Sequence, residues 1–248
     1  MNRQQSEHTK STNVAVITGG SSGIGYATTR RLQQAGYTVA VIDIASADGS
    51  ADLSRIADVT SESDVTEAIK SILHETRRID LLVNNAGVTG SAEATTCHQT
   101  SVADWDLVHA VNVRGPFLCS RAVLPSMIEH GSGHIITVAS IASTVAFPGR
   151  CAYTSSKGAA LQLMRSIALD YAPQGIRANA VCPGMVETPM TQWRLDQPDL
   201  REEVESKIPL GRVAETEEIA DVITSLASSS FTYMTGQALI FDGGWTAQ

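Results

Sequence analysis

The chain has 248 residues, 43% of them hydrophobic and 18% charged, with a formal net charge of −8. That length suits one large α/β core better than two small ones. The acidity argues against a nucleic-acid partner, which needs a basic footprint, and no run nears the roughly 18 apolar residues of a membrane helix.

Residues 1–12 are polar and read as a flexible lead-in, so the folded unit is expected over 13–248. A β-branched run at 14–18 predicts a buried strand, and 23–35 follows with helical character. A second strand is expected at 38–42, ending on Asp43, and a short third near 55–58. A helix over 62–76 leads to a fourth strand at 81–83. A long helical pattern covers 104–130, with Pro116 interrupting it. A strand at 134–138, a helix at 152–171 and a strand at 177–181 come next, then a helix at 216–228 and a strand at 238–241. Strands alternating with helices imply right-handed βαβ crossovers, hence a doubly wound parallel sheet with helices on both faces. Segment 188–212 breaks the alternation, carries Trp193, Pro198 and Pro209, and reads as an inserted lid.

Cys97, Cys119, Cys151 and Cys182 have no metal or CxxC spacing, and the six His residues form no HExxH-type motif. They read as reduced thiols and scattered imidazoles, with no metal site, in a cytoplasmic setting.

The run TGGSSGIG at 18–25 follows the first strand and opens a helix. Glycines there let the backbone approach a pyrophosphate, and the helix N-terminus offers free N–H groups. Gly19, Ser21, Ser22, Gly23, Ile24 and Gly25 are therefore candidate contacts. Asp43 lies 18 residues after Gly25, where a carboxylate accepts the adenosine ribose hydroxyls and repels a 2′-phosphate. No Lys or Arg follows it through Ser46, so the expected cofactor is NAD rather than NADP.

These motifs, with Asp58-Val59, Asn84-Asn85-Ala86-Gly87, Asn112, Ser140, Tyr153-x-x-x-Lys157, Pro183-Gly184 and Thr188, resemble the short-chain dehydrogenase/reductases over nearly the whole chain. The resemblance implies a seven-stranded parallel sheet, and a homodimer or homotetramer built on the two long helices. It implies adenine contacts from Asp58 and Val59, an adenosine-side lining from Asn85, Ala86 and Gly87, and nicotinamide contacts from Pro183, Gly184, Val186 and Thr188. One departure is visible: only 14 residues separate Asp43 from Asp58, so the helix usual there is expected to be shortened or lost.

Tyr153 and Lys157, four apart on a predicted helix, share a face. A phenol titrates near pH 10, and a neighbouring ammonium favours the phenolate. Tyr153 is thus the candidate general acid/base, and Lys157 also a ribose contact. Ser140 would position the substrate oxygen, and by resemblance Asn112 would order a proton-relay water.

Substrate choice should lie in the loops after strands five and six and in the lid. Phe147 gives that side an apolar character. Arg150, with Trp193 and Arg194 across the cleft, would bind an anionic tail by bidentate hydrogen bonds. The readings of Arg194 as a solvated lid residue and Arg150 as a structural contact stay open beside it. The runs AFPGRCA at 146–152 and CPGMVETPMTQWRLDQPDLR at 182–201 resemble the R-specific 2-hydroxypropyl-coenzyme M dehydrogenases. That resemblance implies a secondary alcohol oxidised to a ketone, with a sulfonate on Arg150 and Arg194. A dehydrogenase or reductase for a neutral alcohol, a lyase on the same fold and a non-catalytic NAD sensor are the alternatives. The intact glycines and Lys157 weigh against the lyase, and intact Ser140, Tyr153 and Lys157 against the sensor.

Overall fold

The computed structural model describes residues 13–47 and 49–247, and the expected lead-in lies outside them. The elements are β1 (Val14–Thr18), α1 (Gly23–Gln34), β2 (Thr38–Asp43), β3 (Leu53–Ile56), α2 (Glu62–Thr76), β4 (Leu81–Asn84), α3 (Val102–His109), α4 (Gly115–His130) and β5 (Gly133–Val138). They continue with α5 (Cys151–Tyr171), β6 (Ile176–Pro183), α6 (Pro189–Leu195), α7 (Pro198–Glu205), α8 (Thr216–Ala227) and β7 (Ala238–Phe241). The seven strands form one sheet in the order β3-β2-β1-β4-β5-β6-β7, and every pairing is parallel. The order reverses between β1 and β4. Ligand crevices of such sheets open there, past the carboxyl ends of the strands.

The central strands read as continuous apolar runs because both of their faces are covered. Val14, Val16, Ala40, Ile42 and Leu82 face one way, packed with Ile69 and Ile72 of α2, Val123 and Met127 of α4, and Leu161 and Met164 of α5. Ala15, Ile17, Val39, Leu81 and Val83 face the other way, against Leu32 of α1 and Ile219, Ile223 and Leu226 of α8. Nearly all of these side chains are inaccessible to solvent. At about 25 cal/mol per Å² of apolar surface, the two layers supply the main drive to fold.

Three local features bear on the sequence expectations. No helix lies between β2 and β3 among the described residues, in keeping with the short spacing from Asp43 to Asp58. The 104–130 pattern breaks ahead of Pro116, in a π-type turn at Ala110–Arg114, and Pro116 then begins α4. Proline has no N–H for the carbonyl of Asn112 four residues earlier, and a wider turn absorbs that mismatch. Segment 188–212, read as an inserted lid, holds two short helices, α6 and α7.

Away from the strands' carboxyl ends, His134 is buried where β5 begins. Arg177 lies 3.2 Å from its Nδ1 and the Asn179 amide 3.0 Å from its Nε2. Burial first, and the Arg177 charge second, push its pKa down from 6.5 to about 3. A depressed histidine pKa means that the unfolded chain binds the extra proton. Its contribution is therefore whole above pH 6.5 and is lost as pH falls toward 3. Between pH 6.5 and about 5, before carboxylates dominate, this site alone gives a slope approaching 1.4 kcal/mol per pH unit at most, an order-of-magnitude bound of about one proton. Urea titrations should show this loss in the unaltered chain and a flatter profile in His134→Gln. Parallel profiles would refute it.

Candidate active site

A cleft of about 490 Å³ opens at the carboxyl ends of β1, β2, β4, β5 and β6. Its nucleotide-side wall begins in the loop between β1 and α1, where Gly19, Ser22, Gly23 and Ile24 line it. Gly19 and Gly23 have φ of +67° and +51°, and a Cβ on Gly25 would fall 2.0 Å from the Gly19 carbonyl oxygen. Gly25 does not line the cleft; its lack of a side chain lets α1 start flush against the loop. Ser22 caps α1 in extended geometry without a side-chain hydrogen bond, and the first turn holds no acidic residue. The helix end thus presents backbone N–H groups and no negative charge, the donor set a pyrophosphate needs.

This loop is bolted from both sides. Ser21 N–H donates to Asp43 Oδ2 at 3.0 Å, and its hydroxyl to the Ala45 carbonyl. Ser21 therefore anchors the loop instead of lining the cleft. On the β4 side, Thr18 Oγ1 accepts from the N–H groups of Asn85 and Ala86, both at 3.1 Å. The Asn85 amide donates back to the carbonyls of Thr18 and Gly19. Asn85 borders the cleft with Ala86 and Gly87, but its side chain is spent as a strut. Asp43, Asp58 and Val59 also border the cleft. The Asp58 carboxylate accepts from Thr60 N–H and holds the turn into α2.

At the far end lie Ser140, Tyr153, Lys157, Pro183, Gly184, Val186 and Thr188. Ser140 follows β5 and accepts from Ala142 N–H. Lys157 is buried and donates to the Val138 carbonyl at 2.9 Å, with Nζ 5.7 Å from the Tyr153 ring centroid. Burial lowers the Lys157 pKa to about 8, against the raising influence of Cys182. The expected downward pull of Lys157 on Tyr153 needs correcting. Burial raises the Tyr153 pKa overall, and the opposing influences are the Ser140 hydroxyl and the Arg150 charge. The Lys157 ammonium is turned to the Val138 carbonyl, 5.7 Å from the centre of the Tyr153 ring.

Asn112 does not line the cleft; it lies behind it, in the π-type turn. Its Oδ1 accepts from Val88 N–H at 2.8 Å, and its amide donates to the Val88 carbonyl and to Ser156 Oγ. A Cβ on Gly87 would meet Asn112 Oδ1 at 3.3 Å and Lys157 Nζ at 3.5 Å, so Gly87 makes room for both.

Of the six expected substrate residues, Ser140 and Tyr153 line this cleft, and Phe147, Arg150, Trp193 and Arg194 do not. Arg150 caps α5 and reaches Tyr153 through its charge. Arg194 is drawn to Glu203 at 3.3 Å, because α6 and α7 pack side by side, and its buried Nε has no hydrogen-bond partner. Glu203 is shared with Lys207 at 2.6 Å. Trp193 is 57% exposed. Phe147 packs edge-on against Trp245.

Sequence reading missed Thr18, Thr191 and Trp245. Thr191 Oγ1 donates to the Val186 carbonyl at 2.6 Å and accepts from Thr188 N–H, fixing the turn that carries both cleft residues. Its T-x-x-T spacing is a legible capping signal. Thr18 and Trp245 act through contacts distant in sequence. Among the described residues, no group of three or more His, Cys, Asp or Glu is arranged to hold a metal, and no helix is long and apolar enough to cross a membrane.

Comparisons with known proteins agree with this fold. A family model described as enoyl-(acyl carrier protein) reductase matches residues 19–246. A 2-(R)-hydroxypropyl-CoM dehydrogenase of Xanthobacter autotrophicus is 50% identical over 247 residues, covering 94% of this chain and 98% of the relative. Among solved structures, a 3-ketoacyl-(acyl-carrier-protein) reductase from Brucella melitensis complexed with NADH has a TM-score of 0.86 at 29% identity, covering 94% and 98% of the two chains. ElxO with NADP bound has a TM-score of 0.88 at 28% identity, covering 96% and 100%. With its doubly wound sheet, glycine cradle and Ser-Tyr-Lys floor, the chain belongs to the short-chain dehydrogenase/reductase family of oxidoreductases.

Proposed function

We propose that the protein is an NAD-dependent dehydrogenase interconverting a secondary alcohol and its ketone, with an anionic tail on the preferred substrate. The carrying observation is one cleft with the glycine cradle and Asp43 at one end and Ser140, Tyr153 and Lys157 at the other. The cradle fits a dinucleotide, since a side chain on Gly19 would press on Ala86 and one on Gly25 on Gly19 itself. Asp43 favours NAD because its carboxylate closes β2 with no Lys or Arg through Ser46. Asp58 and Val59 would border the adenine, and Pro183, Gly184, Val186 and Thr188 the nicotinamide. The bound nicotinamide supplies the hydride acceptor or donor.

The remaining work falls to the chain. Ser140 donates a hydrogen bond to the substrate oxygen and orients it. Tyr153 removes the hydroxyl proton during oxidation and returns it during reduction. Its buried phenol resists ionisation, so the Arg150 charge and the Ser140 hydroxyl supply the offset. Lys157 keeps one N–H on the Val138 carbonyl and has two left for the ribose hydroxyls. Asn112 pins the 84–88 segment and α5 together. Its backbone carbonyl cannot accept from Pro116, which has no N–H, and this supports the water-relay reading.

The anionic tail is supported by the buried, unpartnered Nε of Arg194 and by Arg150 beside Tyr153. It is supported too by the substrate printed in the name of the 50% identical relative. In this reading the α6–α7 segment is a lid, and Arg194 exchanges Glu203 for the substrate's anion. A neutral secondary alcohol is the alternative, favoured by the existing Arg194–Glu203 pair. The unpaired cysteines fit a reducing cytoplasm. Exposed Trp105, Phe117 and Leu169 on α3, α4 and α5 fit a homodimer or homotetramer.

Tyr153→Phe should lower kcat about 10²–10⁴-fold while NADH still binds by fluorescence titration; retained turnover removes Tyr153 as the base. Asp43→Ala should cut the NAD-over-NADP ratio of kcat/KM by about tenfold or more, and an unchanged ratio takes Asp43 off the ribose. Arg150→Ala and Arg194→Ala should each raise KM for 2-(R)-hydroxypropyl-CoM by about tenfold, and for isopropanol by less than about twofold. Equal shifts on both alcohols would favour the neutral-substrate alternative.

A further inference from the structure

The short segment after β7 carries no motif, yet it joins three parts of the substrate side. Its backbone is tightly held. Gly184 N–H donates to the Phe241 carbonyl at 3.0 Å, and Leu210 N–H to the Gly243 carbonyl at 3.2 Å. The Asp242 carboxylate accepts from Gly244 N–H, Thr246 N–H and Thr246 Oγ1 at 2.9, 2.8 and 2.7 Å. A Cβ on Gly184 would fall 2.9 Å from Asp242 Cα, so the segment lies directly on the turn that borders the cleft. These bonds leave the Trp245 backbone little freedom.

The Trp245 side chain makes the connection. With Met185 it packs on the apolar cluster of Leu195, Val204, Ile208 and Val213, which joins α6 to α7 and the chain beyond. Its ring also meets Phe147 edge-on, with centroids 5.7 Å apart and planes at 81°. Phe147 sits midway along the loop from Ser140 to Tyr153. Ser140 and Tyr153, at the ends of this loop, and Pro189, Met190 and Thr191 of α6 border the same cleft across a gap. The aromatic pair bridges that gap, and both rings are only half-buried.

We propose that Trp245 and Phe147 form the aromatic wall that receives the apolar part of the substrate's larger substituent, making Trp245 a specificity-determining residue. The wall sets the spacing between the 141–150 loop and the α6–α7 segment. The inference rests on the reading of Ser140 and Tyr153 as the reacting floor, and it is independent of the arginines. A contact serving stability alone would shift melting without sorting substrates by size.

The test uses two neutral secondary alcohols, isopropanol and α-methylbenzyl alcohol, with the full chain and NAD. W245A should raise KM for α-methylbenzyl alcohol about tenfold, while isopropanol kinetics and NADH affinity stay within about twofold. W245F should restore most of the loss. F147A should reproduce it, and the double variant should cost little more than either single, because both remove one contact. Should W245A lose its cooperative melt, F147A and W245F make the same comparison. Equal KM changes on both alcohols, no change on either, or additive effects in the double variant would overturn the proposal. Turnover of neither alcohol by the unaltered enzyme, or full turnover by Tyr153→Phe, defeats the underlying reading of the floor instead, and the wall with it.

Discussion

Everything in the cleft depends on how closely the loop after β1 approaches the start of α1. The Gly25 Cα lies so near the Gly19 carbonyl that a single methyl group would collide at 2.0 Å. Only with glycine at that point does α1 begin against the sheet with its N-terminal N–H groups facing the crevice. The approach is held in place by Thr18 and Asn85, whose hydroxyl and amide tie the ends of β1 and β4 together. β1 and β4 are neighbours because the strand order reverses between them. The knot therefore both creates the crevice and fixes its width.

The opposite end works by desolvation. Lys157 is buried and Tyr153 half-buried, and for each the loss of water disfavours the charged form. For the phenol, the opposing influences come from outside the pair: the Ser140 hydroxyl first and the Arg150 charge second. Asn112 contributes from behind, spanning Val88 and Ser156 so that Gly87, Lys157 and α5 keep their spacing. The π-type turn carrying Asn112 follows from Pro116 and its missing N–H. One residue without a donor thus shapes the support of a site it does not touch.

The substrate side is organised differently. It is assembled from loops and short helices, with ion pairs such as Arg194–Glu203 and Arg201–Glu187 and one small apolar cluster. Partly exposed ion pairs of this kind contribute little stability each. This region is therefore easier to rearrange than the sheet beneath it, as suits the part proposed to sort substrates.

Much of this was legible in the residue order. Apolar runs, helical periodicity and glycine placement dictate the seven strands and their parallel pairing, because strand burial and crossover handedness leave few alternatives. That TGGSSGIG, Asp43, Tyr153 and Lys157 border one cleft was readable from local spacing, and that Ser140 joins them from the family resemblance. The roles of Asn85 as a strut, Arg150 as the charge on Tyr153, Arg194 as Glu203's partner and Trp245 against Phe147 were not. Each joins residues whose partner is chosen by packing and competing charges rather than by spacing along the chain. Chain order alone prescribes which chemistry is present and where along the sheet it falls. Only the folded molecule decides which long side chains reach the reacting groups, since an arginine or tryptophan can reach several partners and burial selects among them.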